Sequence, residues 1–161
     1  MLALVFPGQG SQYVGMGKDL YENFSKAREI FEIASNKLSI DMKKLCFESD
    51  DVHLTVNAQP AILTVSTAAH EVLMFEKDLK PSYVAGHSLG EYSALVACGA
   101  ISFEDAIWAV RKRGEYSPYR NIFGEKFSEA ICNGQADYKT ENKFDEKIRK
   151  GWVDTTDKNP S

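Results

Sequence analysis

Short apolar runs alternating with helical periods predict an α/β fold with a largely parallel sheet. Three observations carry that expectation. Leu2 to Phe6 is an apolar run stopped by Pro7-Gly8, the pattern of a buried strand feeding a loop. Tyr83-Val84-Ala85 is a second such run, ending in Gly86. The segments between and after these runs repeat their apolar residues every three or four positions.

The elements follow in order. Leu20, Phe24, Ala27, Phe31, Ala34 and Leu38 fall at helical steps and predict one amphipathic helix. Pro60 is suited to open the next helix, since a first-turn residue needs no N–H. Ala61 to Phe75 is apolar on most sides, which predicts a buried helix. Glu91 to Cys98 is helical and rich in small residues, with Gly99 to end it. Ser102, with Asp105 three residues on, makes a capping-box-like start for a helix from Phe103 to Arg113.

After Gly114 the character changes. Glu115 to Ser161 contains no leucine or methionine, and its larger aliphatics are only Ile122, Ile131, Ile148 and Val153. That is little apolar surface to set against roughly 1–2 kcal/mol of backbone entropy per ordered residue. A weakly structured tail is expected there.

Bulk properties exclude several classes. A formal charge of -4 leaves no basic footprint, so nucleic acid is not expected as a partner. No apolar run has the length of a membrane span, and the first residues lack a basic leader. Cys46, Cys98 and Cys132 are odd in number and widely spaced, which suits a reducing, cytoplasmic setting and no zinc site. No cofactor or metal is expected.

The chemistry concentrates at Gly86-His87-Ser88-Leu89-Gly90, set between an expected strand and an expected helix. That is the context of a GxSxG nucleophile elbow, in which a sharp turn exposes the serine hydroxyl. The amide of Leu89, opening a helix, would face a developing oxyanion. The bland alternative is a turn that happens to hold a serine. Pro7-Gly8-Gln9-Gly10-Ser11-Gln12 is a second loop, whose glycines can present the Gln9 amide to an anion. It is neither GxGxxG, because Tyr13 replaces the third glycine, nor a Walker loop. Arg113 falls on the inward stripe of its helix with Ala106, Ala109 and Val110, while Arg111 and Lys112 lie off it and are expected to be solvated. A substrate carboxylate, Glu91 or snorkelling at the helix end would each satisfy that arginine.

Together FPGQGSQ (Phe6 to Gln12), NAQPA (Asn57 to Ala61), AGHSLGEYSAL (Ala85 to Leu95) and VRKRGEY (Val110 to Tyr116) resemble the malonyl-CoA:acyl-carrier-protein transacylase family. The resemblance runs from Met1 to about Tyr116. It implies an incomplete parallel-sheet, α/β-hydrolase-like large subdomain over 1–116, with an unmatched tail over 117–161. It implies Ser88 as nucleophile, the backbone amides of Gln9 and Leu89 as oxyanion hole, and Arg113 as binder of the malonyl carboxylate. Malonyl-CoA and acyl carrier protein are the implied partners. Gln59 and Pro60 match a motif expected to be structural, and His87 is expected to shape the elbow rather than act as base.

One departure stands out. The family's general base is a histidine well downstream of the arginine, whereas His53, His70 and His87 are the only histidines here and all precede Ser88. A serine without a base is a weak nucleophile, so impaired activity is expected of this chain alone. The loss of pattern after Tyr116 reads as a frameshifted, truncated or chimaeric gene product, and a parallel sheet lacking its later strands is expected to be poorly soluble. Two alternatives remain: a non-catalytic, degenerate binding fragment, and a patatin-like serine hydrolase, for which no downstream Asp-Gly pair is present.

Overall fold

The computed structural model describes residues 2–77 and 79–116. Its strands are β1 (Ala3–Phe6) and β2 (Tyr83–Gly86), paired in parallel from Ala3↔Tyr83 to Phe6↔Gly86. A parallel pair needs a crossover. Here it contains α1 (Lys18–Asn23), α2 (Ser25–Leu38), α3 (Met42–Glu48), a 3₁₀ turn (Asp50–His53) and α4 (Thr55–Lys77). Helix α5 (Gly90–Ala97) follows β2 directly, and residues 103–116 form α6. The architecture is an incomplete α/β fold, as the sequence predicts. The expected weakly structured tail, 117–161, lies outside the described residues.

The strands differ from expectation in burial. Of β1 only Phe6 is buried, and Val5 is 77% exposed. Successive strand side chains point to opposite faces. Leu4 and Phe6 face the helices, with Phe6 edge-on to His70, while Ala3 and Val5 face a side that no described residue covers. The continuous apolar run was the signature of a strand buried on both faces; only one face is packed.

The single helix expected from Leu20 to Leu38 is two. Phe24 is extended (φ -128°, ψ 129°) and separates α1 from α2. The Nη1 of Arg28 donates to the carbonyls of Tyr21 (2.9 Å) and Glu22 (3.2 Å), satisfying the end of α1. The apolar period survives the break because Leu20 and Phe24 both still pack on the core. Helix α3 was not foreseen, being too short to show a period. Asp41 caps it by accepting from the Lys44 amide (2.9 Å), and its Met42, Leu45 and Cys46 are buried.

Helix α4 starts at Thr55, so Pro60 lies inside it rather than opening it. Proline cannot donate to the carbonyl four residues back, which is that of Val56. That carbonyl accepts instead from Nη1 of Arg111 (3.2 Å), an external donor that makes the interior proline tolerable. The later part of α4 is buried as expected, through Ala61, Ile62, Leu63, Ala68 and Val72. Helix α6 begins as expected: Ser102 Oγ accepts from the Asp105 amide (3.1 Å) and donates to its Oδ2 (2.8 Å). Phe31, Met42, Leu63, Leu89, Ile107, Val52 and Val110 are the largest apolar side chains with almost no exposure, each worth roughly 1.5–3 kcal/mol of burial. They hold α2, α3, α4, the elbow and α6 together.

Candidate active site

Because Phe6 pairs with Gly86, the loop leaving β1 and the elbow leaving β2 emerge side by side at the carboxyl end of the sheet. Ligands of open α/β sheets bind at that end. The elbow is tight. A Cβ on Gly86 would stand 2.0 Å from the carbonyl carbon and oxygen of Gly90, and one on Gly90 would stand 2.3 Å from the Phe6 carbonyl oxygen. No side chain fits at either place.

Ser88 has a φ of 53°, in the left-handed region that a non-glycine residue enters at a cost of order 1–3 kcal/mol. Its surroundings hold it there. The His87 amide donates to Phe6 O (3.3 Å), the Gly90 amide to His87 O (2.9 Å) and the Glu91 amide to Ser88 O (3.2 Å). Leu89 is completely buried and anchors the turn in the core. The Ser88 side chain is thereby left exposed at the surface.

Arg113 lies on the stripe that the sequence assigned to it. Ala106 and Val110 are buried, and Ala109 and Arg113 are half-buried. Its Nη2 donates to Ser88 Oγ (2.9 Å) and its Nη1 to Gln59 Oε1 (2.8 Å). Among the described residues it pairs with no acid, Glu91 included. Gln59 is 2% exposed and was expected to be merely structural; its carbonyl oxygen fixes the guanidinium. A lone glutamine among the apolar residues of α4 was the available signal. Gln9 sits on the exposed β1 loop, and its Nε2 donates to Thr55 Oγ1 (3.1 Å) at the start of α4, a contact sequence reasoning missed.

Among the described residues, the backbone amides of Gln9 and Leu89 donate to no protein acceptor. His87 is exposed, and its backbone forms the elbow. Arg111, expected to be solvated, bonds to Val56, Asn57 and Glu115, and Lys112 bonds to Glu115. Lys112 and Arg111 hold the Glu115 carboxyl below its usual range. Among the described residues no cluster of His, Cys, Asp or Glu could hold a metal ion, and no helix is long and apolar enough to cross a membrane.

An exposed serine on a strained bend, touched by a guanidinium, invites comparison with known acyl-transfer proteins. The acyl transferase domain family matches residues 3–126. The chain belongs to this family. Among curated acyl transferases, a malonyl CoA-acyl carrier protein transacylase from Bacillus subtilis is 56% identical over 115 residues, covering 70% of this chain and 29% of that protein. Another, from Bacillus subtilis strain 168, is 49% identical over 138 residues, covering 84% and 43%. Two crystal structures show the same fold. The transacylase of Clostridium perfringens (TM-score 0.68, 44% identity) matches 71% of this chain and 37% of its own, and that of Streptococcus pneumoniae (0.69, 47%) matches 72% and 38%. The solved complex PlMCAT:AntF, a type II PKS acyl-carrier protein with its malonyl-transacylase, also contains a similar chain, with TM-score 0.68, 43% identity, and coverage of 71% and 38%. The chain thus spans less than half the length of each of these relatives.

Proposed function

We propose that this acyl transferase accepts a malonyl group from malonyl-CoA on Ser88 and passes it to the phosphopantetheine thiol of acyl carrier protein. The observation that carries the reading is the Arg113 guanidinium, 2.9 Å from Ser88 Oγ and steadied by Gln59. A guanidinium has five N–H donors, and these two bonds use two of them. The remainder can take a carboxylate, which places the free acid of malonate beside the attacking oxygen.

In the first half-reaction Ser88 Oγ bonds to the thioester carbonyl carbon, the C–S bond breaks, and the hydroxyl proton leaves with CoA as its thiol. The Gln9 and Leu89 amides receive the tetrahedral oxyanion, aided by the amino-terminal end of α5. In the second half-reaction the carrier thiol sulfur bonds to the ester carbonyl carbon, the bond from that carbon to Ser88 Oγ breaks, and the thiol proton goes to Oγ. The names of the similar Bacillus subtilis proteins, and a solved pair of malonyl-transacylase and carrier protein, support these substrates. No histidine follows Ser88 in the sequence. We therefore assign this chain slow acylation on its own, in the cytoplasmic setting that its unpaired Cys46 and Cys98 favour.

Intact-mass spectrometry after mixing the chain with malonyl-CoA tests the proposal. Slow gain of one malonyl group, mapped to Ser88 and absent in Ser88→Ala, is expected. Rapid stoichiometric labelling would show that the missing base does not matter. Turnover of a neutral p-nitrophenyl ester with no malonyl labelling would favour a hydrolase. Neither reaction, with calorimetric binding of malonyl-CoA retained, would favour a non-catalytic fragment.

A further inference from the structure

We propose that Arg111, not Arg113 alone, sets the carboxylate-recognition geometry: by replacing the hydrogen bond that Pro60 cannot make, it fixes the spacing between α4 and α6 at which Arg113 meets Gln59 and Ser88. The inference rests on the malonyl reading for its consequence, though not for its geometry.

The chain of contacts is continuous. The Val56 carbonyl lacks a helical donor because residue 60 is proline. Arg111 Nη1 supplies one at 3.2 Å and also donates to Asn57 Oδ1 at 2.8 Å. Asn57 is itself oriented, since its Nδ2 donates to the Asp51 carbonyl (3.0 Å). Arg111 Nε meanwhile bonds to Glu115 Oε1 (3.3 Å), one turn along its own helix. Three residues beyond Arg111 lies Gly114, where a Cβ would stand 2.8 Å from the Val56 Cα. The end of α6 therefore rests directly on the backbone of the first turn of α4.

Arg113 and Gln59 each lie two residues beyond the anchored pair, Arg111 on α6 and Asn57 on α4. Any shift of α6 against α4 separates the 2.8 Å bond between Arg113 and Gln59. Thr55, in the same turn of α4, also holds the Gln9 side chain. One helical turn thus references both the arginine and the β1 loop to a common backbone. Arg111 acts through Arg113 and touches no reacting atom, so it is a positioning residue.

The test compares the full chain with its Arg111→Gln, Arg111→Lys and Asn57→Ala variants, using two readouts. The first is the Arg113 Nε–Hε signal in ¹H–¹⁵N spectra of the free protein. The second is the rate of Ser88 labelling by malonyl-CoA divided by that by acetyl-CoA. For Arg111→Gln, the Arg113 signal is expected to move toward that of free arginine. The malonyl-to-acetyl ratio is expected to fall about tenfold, the value of one charge-assisted hydrogen bond. Arg111→Lys, which keeps one donor but not the fork, restores part of both. Asn57→Ala shifts the same Arg113 signal, and decides the matter if Arg111→Gln fails to fold. An Arg113 signal unmoved in the folded variants, or malonyl and acetyl rates falling by the same factor, would overturn the inference. If the unmodified chain labels equally with both thioesters, the malonyl reading fails while the Arg113 signal still decides the role of Arg111.

Discussion

Arg113 Nη2 donates to Ser88 Oγ across 2.9 Å, joining the last turns of α6 to the bend after β2. A cation at this distance is complementary to a carboxylate beside the serine oxygen, a match that a neutral acyl group lacks. Replacing Arg113 by alanine is expected to slow malonyl labelling of Ser88 by about 100-fold, the loss of two charge-assisted hydrogen bonds. Acetyl labelling should change by less than a few-fold. Arg113→Lys keeps the charge without the planar fork and should fall between the two. Parallel rate measurements with the two CoA thioesters decide it; equal losses for both would remove the carboxylate from the account.

The backbone of Ser88 gives a second expectation, on stability rather than chemistry. At φ 53° a Cβ costs roughly 1–2 kcal/mol that glycine avoids. Ser88→Ala and Ser88→Gly both lose the hydroxyl and its bond to Arg113, so their difference isolates the strain. Ser88→Gly should be more stable than Ser88→Ala by about 1 kcal/mol in urea denaturation, less whatever entropy glycine adds to the unfolded chain. A stability order with alanine above glycine would mean that the bend is relaxed.

The sequence made the bend legible because its chemistry is local: a strand, two glycines around a serine and a helix suffice to specify it. Arg113 was legible as far as its face, since periodicity places a residue on a stripe, but its partner sits on another helix. Gln59, Thr55 and Arg111 escaped for the same reason. Each acts through a contact across 46 to 55 residues of chain, and no local period encodes such a pairing. Pro60 misled because the rule for proline in helices assumes that no side chain outside the helix can stand in for the lost donor. The break at Phe24 escaped because burial, not helicity, sets the apolar period, and Phe24 is packed on the core in an extended conformation.

Cysteine chemistry offers a test of the core between α2, α3 and α4. Cys46 is fully buried, and burial pushes its thiol up from 9.0 to about 12, while Cys98 is exposed. Above pH about 9 the unfolded chain gives up a proton that the folded chain keeps, so the folded state binds more protons and stability falls as pH rises toward about 12. Cys46→Ala should flatten that alkaline decline. Peptide mapping after brief iodoacetamide treatment at pH 8 should find Cys98 modified and Cys46 intact. Rapid modification of Cys46 would show that α3 opens readily.

Gln59 explains why a neutral side chain stands where an acid would seem the natural partner of an arginine. A glutamate there would accept the same bond from Arg113 with a full charge, and the pair would be buried and self-sufficient. The guanidinium would then have little attraction left for an anionic acyl group, because a nearby carboxylate both occupies its donors and repels the incoming one. A glutamine orients the cation without neutralising it. Gln59→Glu is therefore expected to fold as well as the parent, with thermal unfolding within a few degrees, yet to lose malonyl labelling by about 10- to 100-fold. Gln59→Leu leaves the charge free but unheld, and should lose less than Gln59→Glu while melting earlier, because a half-buried guanidinium loses one acceptor. Labelling kinetics and melting curves on the two variants separate orientation from charge. If Gln59→Glu labels as fast as the parent, the positive charge at Arg113 is not what selects the acyl group.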